Sequence, residues 1–167
     1  MYRKIEDIVN GWETESEATQ KLLNAISDAS LSQQAAEGHR TLARMAWHLV
    51  TTIPEMMTKT GLKVQKIVPD APIPGNAAEI QRAYAAVAKE MLEQIKANWN
   101  DQTLTVEDDL YGQKWARGRT VRILMDHQIH HRGQMTVLMR QAGLKVPGIY
   151  GPSKEEWSAY GAPPPEV

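Results

Sequence analysis

Apolar residues recur at helical rather than strand spacing through most of the chain, and the pattern predicts four long helices. The first is expected over about Val9 to Ser27, burying Ile8, Trp12, Leu22, Leu23 and Ile26. SDASLSQQAAEGHR then reads as a connection with a short helical turn. The second helix starts near Thr41 and stops at Gly61, a residue suited to ending a helix. Its stripe is Leu42, Met45, Ala46, Leu49, Ile53 and Met56, with Pro54 placed to kink it. After the proline-rich VPDAPIPG, the third helix opens at Asn76, with Glu79 as its capping-box partner, and runs to about Asn98. Its core face is Ile80, Tyr84, Val87, Met91 and Ile95. NDQTLTVEDDLYGQKWARGR is a long connection holding a short hairpin that turns at Tyr111-Gly112. The fourth helix is expected from Thr120 to just before Gly143, with Val121, Leu124, Met125, Met135, Leu138, Met139 and Ala142 facing inward. Four amphipathic helices with long connections specify an all-α fold, a four-helix bundle. One domain over residues 1–152 is expected, followed by a polar, proline-rich tail over 153–167.

Composition narrows the function. No apolar run approaches the roughly 18 residues of a membrane span. MYRKIEDIVN has no apolar stretch behind its basic pair, so no signal peptide is expected and the cytoplasm is the expected compartment. A formal net charge of −1 lacks the electrostatic footprint of a nucleic-acid binder. The absence of cysteine excludes disulfides, thiolate metal sites and a cysteine nucleophile together. Any metal must therefore be held by nitrogen and oxygen, and any sulfur chemistry must use sulfur brought from outside.

The chemistry concentrates in DHQIHHRGQM, where three of the five histidines fall within five residues. At 100° per residue, His127 and His131 both lie in the apolar stripe of the fourth helix, one turn apart. That spacing presents two imidazoles to one side, as zinc proteins do on helices. His130 points about 100° away and cannot easily join them. The pair reads either as metal ligands or as core histidines bonded to backbone or water. A third ligand is needed: His48, at the edge of the second helix's stripe, is the candidate, against the reading of an ordinary part-exposed histidine. His39, in the preceding loop, is a weaker one. Three histidines would leave a coordination position open, the mark of a catalytic site. Gly133 costs its helix about 1 kcal/mol relative to alanine. It marks either close approach of another helix, from a second subunit for example, or a tolerated glycine.

HQIHHRGQMTVLMRQAGLKVPGIYG, together with AWHLV around His48, resembles the DinB/YfiT-like proteins, a superfamily of metal-binding four-helix bundles. The resemblance spans roughly Val9 to Gly151 and implies a homodimeric bundle with a divalent ion, zinc or nickel, on His48, His127 and His131. Some relatives resemble metal-dependent transferases that join low-molecular-weight thiols to electrophiles. Others are called damage-inducible proteins or hydrolases, and fold does not decide among them.

The residues offer support for the thiol reading. Lys114, Arg117, Arg119 and Arg122 cluster around the start of the fourth helix, where guanidinium forks suit the carboxylates such thiols carry. A solvated basic loop is the alternative. Arg132 and Gln134, beside His131, are candidates for supporting the ligands or binding substrate; for Arg132 the structural alternative is an ion pair with a neighbouring helix. A transferase using a small-molecule substrate and a thiol co-substrate leads this reading. A metal-dependent hydrolase, or a non-catalytic stress protein, remains open beside it.

Overall fold

The computed structural model describes residues 1–65, 67 and 71–166, so part of the VPDAPIPG connection lies outside the described residues. Four helices dominate: α1 (Ile5–Asn24), α2 (Leu42–Met57), α3 (Ala77–Asn98) and α4 (Arg117–Gln141). Between α3 and α4 stands an antiparallel hairpin, β1 (Glu107–Leu110) and β2 (Gln113–Ala116). The all-α bundle holds, and no described helix is long and apolar enough to cross a membrane.

Helix ends show local and remote causes side by side. Asn76 caps α3 by accepting from the Glu79 N–H at 2.9 Å, while its Nδ2 donates to Glu79 Oε1 at 2.8 Å. Thr41 accepts from the Arg44 N–H at the start of α2. α2 runs through Pro54 to Met57, tightens into a 3-10 turn over Thr58–Thr60 and stops at Gly61, whose φ of +84° suits glycine. By contrast, α1 begins at Ile5 rather than Val9, because Asp101, from beyond α3, accepts the Ile5 N–H at 2.8 Å. Likewise α4 begins at Arg117 rather than Thr120. Its first N–H is taken by the Val106 carbonyl, so the helix grows directly out of the hairpin. The hairpin turns at Tyr111 (φ 54°) and Gly112 (φ 76°), both left-handed, as a type I′ turn requires.

α1 and α2 each pack against both α3 and α4. α1 and α2, and likewise α3 and α4, therefore lie across the bundle from each other, while α2 and α3 are neighbours joined by the segment 58–76. The predicted faces are buried: Trp12, Leu49, Ile53, Ile80, Tyr84, Met91 and Leu124 have no exposed surface. Trp12 closes its own polar account by donating Nε1–H to the Ala88 carbonyl at 3.0 Å, tying α1 to α3. Ala142, expected in the core, is half-buried at the end of α4. Downstream of Pro152 the chain is tied back by ion pairs of Glu155 with Arg140 and Glu156 with Lys21.

Within this chain Gly133 fits the reading of a tolerated glycine. No helix of this chain approaches Gly133, where a Cβ would meet nothing within 4 Å. Close approach occurs at Gly118 instead, where a Cβ would fall 2.1 Å from the Tyr2 backbone carbonyl. Gly118→Ala should therefore cost about 1–3 kcal/mol by displacing the N-terminal segment. Gly133→Ala should gain roughly 1 kcal/mol of helix propensity. Urea midpoints of the two variants, moving in opposite directions, test the packing of α4.

Candidate metal centre

α2 and α4 pack side by side, and their contact face carries the histidines. His48 comes from the middle of α2; His127 and His131 come from successive turns of α4. The register between the helices is pinned at this level. Gln128, fully buried and next to His127, donates Nε2–H to the carbonyl of Leu49, next to His48, at 3.0 Å. Gln128 was not singled out in the sequence, although its place between Leu124 and His131 on the apolar stripe marks it as a buried polar residue.

The three imidazoles meet edge-on with centroids 4.3–4.9 Å apart. His127 Nε2 lies 3.1 Å from His48 Nε2 and 3.1 Å from His131 Nε2. Burial lowers the pKa of His48 and of His127 to about 4, helped by the charge of His131 and, more weakly, of Arg40. Burial lowers His131 too, against the opposing effect of its bond to Gln134. All three are neutral at pH 7, with lone pairs available.

The proton count shows what this arrangement suits. Gln134 Oε1 accepts from His131 Nδ1–H at 2.7 Å, which leaves the His131 Nε2 as a bare lone pair facing its neighbours. A proton on His127 Nδ1 has no acceptor, because that atom is buried without a partner. A proton on His127 Nε2 serves one neighbour and leaves the other lone pair unmatched. A cation at the meeting point satisfies all three Nε2 atoms together. The 3.1 Å spacing is close to the roughly 3.3 Å that separates nitrogen ligands of a tetrahedral zinc ion. Among the described residues, these three histidines form the one group able to hold a metal, and no carboxylate joins it.

His130 is exposed and outside the group, as its helical angle requires, and His39 is outside it as well. The basic residues proposed for substrate carboxylates are engaged elsewhere. Arg117 pairs with Asp108 at 2.8 Å and Lys114 with Asp109 at 3.1 Å. Arg122 pairs with Asp126 at 2.9 Å, and Arg119 stacks on Trp115. Arg132 turns away from the histidines into α1. It is buried, ion-paired with Glu15, bonded to the Glu15 carbonyl at 2.7 Å and to Thr19 at 3.2 Å, and in contact with the Tyr150 hydroxyl. The structural alternative thus describes Arg132, because a buried guanidinium must satisfy its fork. Beside His131 opens a cavity of about 480 Å³, lined among others by Arg40, Met45, Gln134, Val137 and Leu138.

A sequence model of the DinB family matches residues 1–166. The chain belongs to the DinB family. This DinB chain is 42% identical, over the full length of both proteins, to YrdA of Bacillus subtilis strain 168, an uncharacterized protein. It superposes on the crystal structure of a DinB-like protein from Bacillus cereus ATCC 10987 with a TM-score of 0.87 at 46% identity, covering 90% of this chain and 100% of that one. A DinB-like protein of Bacillus subtilis, YjoA, shares the fold at a TM-score of 0.65 and 19% identity, covering 86% and 97% of the two chains.

Two outcomes follow for this DinB centre. Gln134→Ala should weaken zinc binding about 10- to 100-fold, the usual effect of removing a ligand's orienting partner; competition with a chelator of known affinity measures it. In metal-free protein, folded His48 and His127 hold off protonation until about pH 4, whereas the unfolded imidazoles protonate near 6.5. The unfolded state therefore binds more protons in between, and stability, fully present above about pH 6.5, falls on acidification. Urea midpoints at pH 7 and pH 5 should differ in the wild type and differ less in His48→Ala/His127→Ala.

Proposed function

We propose that this chain is a metal-dependent transferase that joins a low-molecular-weight thiol to an electrophile, with His48, His127 and His131 holding zinc or nickel. The observation that carries the reading is the meeting of three neutral Nε2 atoms beside a cavity with no carboxylate in its lining. Water activation for hydrolysis calls for a general base; the cavity lining offers no carboxylate for it, and His39 is the one imidazole there outside the three. A thiol needs no such base, only acidification of its S–H. When bound, the ion supplies that acidity, keeping a thiol ligand deprotonated near neutral pH.

The chain's own residues do the rest. Gln134 fixes the tautomer and ring orientation of His131. Gln128 holds α4 in register with α2. The buried Met45 and Leu138, with the exposed Val137, give the reacting pair an apolar wall. In the transfer, the thiol proton goes to solvent, the S–C bond forms, and the leaving group departs with its electron pair. The absence of cysteine fits this division of labour, since no thiol of the chain competes for the ion. The cavity suits a small-molecule substrate. The family resemblance supports a homodimer, and the charge of −1 supports a protein without a nucleic-acid partner.

Elemental analysis should find about one ion per chain, and little in His48→Ala or His127→Ala. Loaded protein should conjugate a thiol to an activated aryl halide, and removal of the metal should abolish that conjugation. Ester or amide cleavage without added thiol would establish the hydrolase instead. Metal that stabilises the bundle while no thiol binds would establish the non-catalytic protein.

A further inference from the structure

The cavity beside His131 holds a positive charge that the protein does not answer. Arg40 lines it, next to His39, and no Asp or Glu belongs to its lining. Arg117, Arg122, Arg132 and Arg140 each have a carboxylate within ion-pair distance. Among the described residues Arg40 has none, as is also true of Arg3, Arg44, Arg82 and Arg119, but Arg40 is the arginine in this lining. Its backbone is nevertheless well held, because the loop before α2 is stitched to the preceding turn. Gln34 bridges Thr41, the Leu42 N–H donates to the Gln33 carbonyl at 2.8 Å, and the Ala43 N–H to the Leu31 carbonyl at 3.0 Å. Arg40 is exposed, and its guanidinium borders a cavity walled by the buried Met45 and Leu138 and by the exposed Val137, where it can serve as an anion fork for a ligand seated beside His131.

We propose that this cavity takes a ligand bearing a carboxylate, which Arg40 binds, with the ligand's apolar body on Met45, Val137 and Leu138 and its far end directed to the three imidazoles. Arg40 and His131 line the same cavity, so a ligand held by the guanidinium can reach the imidazole group. Arg40 is thus the specificity-determining residue, in place of the basic residues around the start of α4. The inference rests on the reading of the three histidines as a metal centre that receives a thiol from this side.

The test uses zinc-loaded protein and two matched probe series, ω-mercaptocarboxylates of increasing length and the mercaptoalcohols of the same length. At the best-fitting length the acid should bind about ten-fold tighter than the alcohol or more, as expected for a charge-assisted hydrogen bond. In Arg40→Gln that preference should collapse to within about two-fold, with metal content unchanged. Equal binding of acid and alcohol in the wild type overturns the inference, as does a preference that survives in Arg40→Gln; either leaves the thiol reading standing. Thiol-free n-alkanoates, followed by ligand-observed NMR, separate the two failures. Arg40-dependent binding of an alkanoate when no thiol binds upholds the anion pocket and removes the thiol transferase. No binding of thiol or alkanoate removes both.

Discussion

Three imidazoles share one small volume between α2 and α4, and the rest of the structure answers to that crowding. Neutral rings brought together through Nε2 at 3.1 Å cannot all find a hydrogen at the centre. Burial, together with the mutual repulsion of protonated rings, forbids the charged alternative. A bundle that pays such a local cost must hold it by packing, and the supports are visible. Gln128 clamps the two helices one residue from His127, Thr52 Oγ1–H donates to the His48 carbonyl at 2.9 Å, and Gln134 fixes the far side of His131.

Charge is partitioned with equal care. On the opposite flank of α4, the buried Arg132 draws Glu15, Thr19 and the exposed Tyr150 into a network that joins α4 to α1. At the head of the helix, the hairpin absorbs Lys114, Arg117 and Arg119 through its own acids and Trp115. These structural cations are thus matched, whereas Arg40, which has no carboxylate within ion-pair distance among the described residues, lines the cavity. A nearly neutral chain can in this way keep a local positive field without becoming a general anion binder.

Periodicity and capping chemistry made most of the fold legible. The faces of α1 to α4, the Asn76 cap, the Gly61 stop and the Tyr111-Gly112 turn all depend on residues close in sequence. The starts of α1 and α4 were misplaced because their first N–H groups find partners on remote segments, Asp101 and Val106. The same limit applied at the site. Helical angle brought His127 and His131 together and set His130 aside, and His48 could be matched from its helix edge. The role of Arg132 and the pairing of Arg117 and Arg122 depended on which acids the fold delivers, as did the lone position of Arg40, which no spacing rule encodes. Arg44, one turn before His48 on the same helix, was the nearest local hint of positive charge at that end.

The central claim is that His48, His127 and His131 jointly bind one divalent ion through Nε2. X-ray absorption at the zinc edge of the loaded protein measures this most directly. The account predicts three imidazole nitrogens at about 2.0–2.1 Å, with the outer-ring scattering of histidine. A shell of oxygen alone, or of a single imidazole, would contradict it.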